Sequence, residues 1–104
     1  MYEILISQND KLEIVDKIVP GAWINMLDPT EIEIQEICDI LNIEIDFIKA
    51  ALDEEERPRI ETEDGNTLIV ADIPIVEAGE RKTFMYSTMP MGIIVCENNI
   101  VTVK

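Results

Sequence analysis

At 104 residues, with 47% hydrophobic and 29% charged side chains, the chain has the size and apolar content of one domain folded around a single core. Its 22 acidic and 8 basic residues leave a formal net charge of −14. Such a charge repels phosphate backbones and anionic lipid headgroups, which argues against nucleic-acid and membrane-surface partners, and it attracts divalent cations or a basic protein.

In chain order, Glu3–Ile6 and Leu12–Val15 read as two strands of a hairpin, with Gln8–Lys11 as its turn. Pro20-Gly21 punctuates the chain before a third strand, Ala22–Leu27. A helix start follows: Asp28 as cap, Pro29 at the first helical position, and Glu31 three residues after Asp28 in a capping-box arrangement. Ile34, Ile37, Cys38 and Leu41 recur at helical spacing, and Asn42 is a stop signal. A second helix runs from Ile45 to Asp53, with Phe47, Ile48, Ala51 and Leu52 on one side. The acidic run Asp53 to Glu56 lies at its C-terminal end, where the helix dipole disfavours negative charge.

From Pro58 onward the signals are β. Ile60 and Thr62 alternate with charged neighbours, and Asp64-Gly65 is a tight-turn pair. Thr67 to Val76 forms a long strand whose unbroken Leu68–Ala71 run predicts cover on both faces, with Pro74 at an edge or bulge. Glu77–Lys82 reads as a polar loop, and two strands, Thr83–Thr88 and Gly92–Cys96, are broken at Pro90. Glu97–Asn99 turns into a last strand, Ile100–Val103. The expected fold class is α/β, an α+β-like fragment: a mixed, largely antiparallel sheet with two helices after the third strand. Residues 1–104 are expected to form a single soluble domain. Because the sequence stops on an apolar strand with no helix to cover it, the domain reads as truncated.

The residue inventory argues against an enzyme. There is no histidine, the commonest general base and transition-metal ligand. Ser7 and Ser87 lie outside any nucleophile elbow, and four glycines form no phosphate-cradling loop. Cys38 and Cys96 lack metal-type spacing and sit in apolar runs, so they read as reduced core thiols in a reducing compartment. Trp23 and the set Met85, Met89 and Met91 read as core residues. A bound metal would need oxygen ligands, which suits a hard cation such as Mg²⁺. The candidate carboxylates are Asp53-Glu54-Glu55-Glu56 and the pair Glu77 and Glu80, each set against the plainer reading of a solvated helix end or polar loop.

Three segments taken in order, GAWINMLDPTE at 21–31, LDEEERPRI at 52–60 and IVTV at 100–103, resemble the N-terminal cytoplasmic domain of the CorA family of magnesium and cobalt transporters. The resemblance implies an α/β/α cytoplasmic sandwich in a homopentamer. It also implies a long helix and two transmembrane helices with a Gly-Met-Asn motif, none of which these 104 residues contain. By position it places a regulatory, Mg²⁺-sensing carboxylate near Glu77, with Glu80 as neighbour, at an interface between the chain's own subunits. The expected role is that of a regulatory or sensor domain on the cytoplasmic side of the membrane, coupling the cytosolic Mg²⁺ or Co²⁺ level to gating. The alternative is a stand-alone acidic module that binds a basic partner and has no metal role. Without the later helices an apolar sheet face should be bare, and self-association is expected.

Overall fold

The computed structural model describes residues 1–53, 55–78 and 84–104, and of residues 76–78 and 84–86 the backbone alone. Seven strands and two helices follow in chain order: β1 (Tyr2–Gln8), β2 (Lys11–Val15), β3 (Trp23–Met26), α1 (Glu31–Leu41), α2 (Ile45–Leu52), β4 (Arg59–Glu63), β5 (Asn66–Ala78), β6 (Phe84–Val95) and β7 (Ile100–Val103). They form one sheet in the order β2-β1-β3-β7-β6-β5-β4. Every neighbouring pair is antiparallel except β3 and β7, which run parallel with Ile24 opposite Val101. The mixed, largely antiparallel sheet with two helices after the third strand is therefore the observed architecture.

Turn chemistry sets the hairpins. Asn9 and Asp10 both have positive φ (55° and 60°), as do Asp64 and Gly65 (50° and 82°). Two consecutive left-handed residues match the right-handed twist of flanking strands and give two-residue loops. The start of α1 differs from expectation. Its cap is Thr30, not Asp28: the Thr30 hydroxyl accepts from the Glu33 N–H at 3.2 Å, and the Glu33 carboxylate accepts from the Thr30 N–H at 2.9 Å. Asp28 instead has φ 41° and turns the chain out of β3, so the reciprocal box falls two residues later. Asn42 ends the helix in the left-handed conformation as expected, donating its N–H to the Cys38 carbonyl.

β5 and β6 form a hairpin much longer than its neighbours. Its pairing runs from Thr67 opposite Val95 to Ala78 opposite Phe84. β6 is therefore continuous through Pro90, where a break was expected. The reason lies in what flanks it: β7 pairs with β6 only from Gly92 to Val95, and β4 pairs with β5 only from Asn66 to Val70. Beyond those limits each strand has a free outer edge, and Pro74 and Pro90 sit where no ladder bond is required of them on that side. Glu77 and Ala78 belong to this strand and not to a loop.

The core lies between the two helices and one face of the sheet. Ile34, Ile37 and Cys38 of α1 and Phe47, Ile48 and Ala51 of α2 are buried against Ile4, Ile24, Val101, Ile94 and Leu68, one row of residues across five strands. Among the described residues no helix packs on the opposite face. One of its rows runs Ile14, Leu5, Trp23, Ile100, Val95, Thr67, and the next Glu3, Asn25, Thr102, Ile93, Ile69, Ile60. Across these two rows only Glu3 is charged. The expectation that Leu68–Ala71 is covered on both faces is thus corrected: Leu68 and Val70 are buried, while Ile69 and Ala71 remain half-exposed. Trp23, expected in the core, lies half-buried on this open face, where its indole N–H donates to the Thr102 hydroxyl at 2.8 Å. Thr102 in turn donates to the side-chain Oδ1 of Asn25 at 2.9 Å. Met89 and Met91 are also half-buried rather than core. No helix among the described residues is long and apolar enough to cross a membrane.

Candidate functional site

Oxygen ligands are the only hard-cation chemistry the composition offers, so the arrangement of carboxylates is the natural place to look for function. β4 ends on Glu63, Asp64 opens the β4–β5 turn, and Glu44 is the N-cap of α2. A buried side chain holds these two places together: Asn66, the first residue of β5, donates its amide to the Asn42 carbonyl at 2.9 Å. That bond ties the turn to the junction between the helices. As a result one carboxylate oxygen each from Glu44, Glu63 and Asp64 lie within 4.8 Å of one another, all exposed. Three like charges at that spacing repel, and a divalent cation that keeps part of its water shell suits them.

The acidic character extends along a groove of about 390 Å³ between α2 and β4, which Asp46, Asp53, Glu56 and Glu61 also line. Of its two cations, Arg59 is firmly paired and Lys49 is not. The Arg59 guanidinium is paired with Glu56 and bonded to Glu61 at 3.3 Å, and these carboxylates push its pKa up. Lys49 reaches Glu31 only at 3.9 Å in an exposed pair, an interaction of little energetic weight.

The sequence-derived candidates fare differently. Glu77 lies in β5 opposite Met85. Glu80, its neighbour in that expectation, falls outside the described residues. The Asp53–Glu56 run turns the chain out of α2: the Asp53 carboxylate accepts the Glu55 N–H at 2.9 Å, the Glu56 N–H reaches the Asp53 carbonyl, and Glu56 is held by Arg59. Glu54 also falls outside the described residues. The Glu44, Glu63, Asp64 group escaped sequence reasoning because its members come from a helix start and a hairpin turn well separated along the chain. The Asp64-Gly65 pair fixed the turn but not its neighbour.

Neither thiol supplies a nucleophile. Burial, with smaller contributions from Asp39 and Glu44, pushes the Cys38 thiol up to about 11, and burial raises Cys96 as well. Both are free. Reactive cysteines have the opposite tendency, a lowered pKa in an electropositive setting.

Comparison with known proteins gives a consistent pattern. The family model described as CorA-like Mg²⁺ transporter protein matches residues 21–104. Among curated proteins no sequence matches. Among solved structures, the chain is similar to the soluble domain of CorA from Methanocaldococcus jannaschii, at 22% identity and a TM-score of 0.78, covering 99% of this chain and 40% of that one. It is also similar to the complete CorA magnesium transporter from the same organism, at 22% identity and a TM-score of 0.73, covering 99% of this chain and 32% of that one. The chain thus spans less than half the length of either structure.

Proposed function

The chain belongs to the family of CorA-like Mg²⁺ transporter proteins, and from that membership we propose that it acts as a cytoplasmic regulatory domain of divalent-cation transport. In this reading its carboxylates sense cytosolic Mg²⁺ or Co²⁺, and its subunits, assembled with copies of themselves, pass that state to a pore formed by other segments. The family match across residues 21–104 carries the reading, and the −14 charge is in keeping with it.

The mechanism is electrostatic. Acidic faces of neighbouring subunits repel when the cation is scarce. A hydrated divalent ion between them screens the repulsion and favours the closed assembly. Moving such an equilibrium from 1:99 to 99:1 takes about 5.5 kcal/mol of differential binding, a load that several weak sites in one oligomer share. Glu77, with Glu80 beside it in sequence, is the proposed sensing carboxylate.

Thermal unfolding in matched ionic strength tests this. A site occupied at ten times its dissociation constant adds about 1.4 kcal/mol, several degrees in Tm. Millimolar MgCl₂ should raise Tm above the value in NaCl of equal ionic strength, and Glu77→Ala should reduce the difference. Identical shifts in the two salts would reduce the effect to nonspecific screening and refute the sensing role.

A further inference from the structure

We propose that the outer edge of β4 is a docking site for an extended, basic peptide segment, which adds to the sheet as a further strand and sets its lysine or arginine side chains beside the acidic groove under α2. The inference concerns this one border of the sheet and does not rest on the transport reading.

The backbone supplies the edge. β4 is an end strand of the sheet. Glu63 pairs with Asn66 across a two-residue turn, so residues 59, 61 and 63 direct their N–H and C=O groups to β5. Ile60 and Thr62 turn theirs outward, and among the described residues no other element takes them up. A row of this kind is a template for one more strand. A third layer stacked on the open side, as in an α/β/α sandwich, covers the flat of the sheet and not this border.

The side chains choose the partner. Arg59, Glu61 and Glu63 stand opposite Val70, Leu68 and Asn66, which are buried under the helices, so all three lie on the helix side of β4. There they line the groove with α2, whose walls hold six carboxylates against Lys49 and Arg59. Arg59 is taken up by Glu56 and Glu61, while Glu44, Asp46 and Glu63 have no salt bridge among the described residues. An added strand lies about 4.8 Å beyond β4, which puts its helix-side residues next to Glu61 and Glu63. Opposite charges across a strand pair stabilise it and like charges destabilise it. The edge therefore rejects an acidic strand and accepts one with lysine or arginine at every second position. The intervening positions neighbour Ile60, exposed on the other side, and suit valine or isoleucine.

Fluorescence anisotropy tests the proposal, with a labelled synthetic peptide of alternating lysine and valine as the probe. The peptide should bind the chain saturably, one to one, and more weakly as NaCl screens the charge pairs. The same peptide methylated at every backbone nitrogen keeps its charges but cannot donate to the edge, and its binding should be lost. Glu61→Gln combined with Glu63→Gln removes two exposed ion pairs and should weaken binding about tenfold, with circular dichroism and Tm near wild type. Asp10→Asn combined with Glu13→Gln makes the same change of charge at β2, the far border of the sheet, and should leave binding intact. A methylated peptide that binds equally well reduces the effect to counterion attraction and overturns the proposal. So does a β2 pair as damaging as the β4 pair, or a probe that does not bind. A dimer of the chain that the peptide cannot dissociate, its β4 edge held by a second copy, overturns it too. The Mg²⁺ comparison above is decided separately.

Discussion

At Gly92 helix α2 lies tight against the sheet. A Cβ built there would lie 2.3 Å from the Ala51 Cβ, 3.4 Å from the Ala51 Cα and 3.7 Å from the Leu68 Cδ1. Carbon atoms in contact prefer about 3.5–4.0 Å, so Gly92→Ala forces α2 to rise by more than about 1 Å over a core that includes Phe47, Ile48 and Leu68. Overpacking of this kind costs about 1–3 kcal/mol. The alanine restricts the unfolded chain, which returns about 0.4–1 kcal/mol, so the clash still dominates. The expected net loss of about 1–2 kcal/mol corresponds to a fall in Tm of roughly 4–16 °C for a domain of this size. Ala51→Gly alone should cost about 1 kcal/mol through helix propensity. Combined with Gly92→Ala it removes the methyl that clashes, leaving only the 3.4 Å contact with the helix backbone. Urea unfolding followed by circular dichroism should therefore give a favourable coupling of about 1–2 kcal/mol in the double-mutant cycle. If Gly92→Ala is neutral, or if the two changes simply add, the close approach of α2 to β6 is wrong.

Thr102→Val removes the hydroxyl that links Trp23 to Asn25. Because both partners are half-exposed and water can replace the lost bonds, the cost should lie near the lower end of the usual range, about 1 kcal/mol; a stability and a Trp23 emission spectrum identical to wild type would contradict it. Glu33→Gln tests the N-terminal end of α1. The Glu33 carboxyl is held below the usual range, first by the Met1 ammonium at 2.8 Å and then by the Thr30 N–H. A depressed carboxyl pKa contributes stability above the unfolded value of about 4.3 and loses it as pH falls through the folded value. The wild type should accordingly be more stable than Glu33→Gln at neutral pH, with the two curves converging below about pH 4; parallel pH–Tm curves would refute this.

The parts of the fold that rest on local chemistry were legible in the sequence. Asp64-Gly65 has few alternatives to a tight turn, and the spacing of Ile34, Ile37 and Cys38 admits only a helix whose apolar stripe faces a core. Thr30 and Asp28 were harder to separate, since each is a good cap followed three residues later by a glutamate, and only the backbone shows that Asp28 is spent on the turn out of β3. Pro90 was misread because a proline excludes a strand only where a ladder bond is needed, and the need depends on how far β7 reaches along β6. The carboxylate group failed for the same kind of reason. Nothing in the neighbourhood of Glu44 announces Glu63, and their meeting depends on one buried amide, Asn66, whose partner is a carbonyl 24 residues away.

The position of β7 also bears on how the molecule is made. The last of these seven strands in chain order lies fourth in the sheet, and it alone bridges β3 to β6. Until residues 100–103 have left the exit tunnel, the three strands β2-β1-β3 and the β4-β5-β6 meander are separate pieces, each with an uncapped inner border. Both borders are then available to any passing nascent chain. Joining them requires contacts nearly 80 residues apart in sequence, an arrangement that slows the final collapse into the millisecond-to-second range. Expression yield should therefore respond more strongly to holdase chaperones acting on the growing polypeptide than to improvements in the packing of the finished domain.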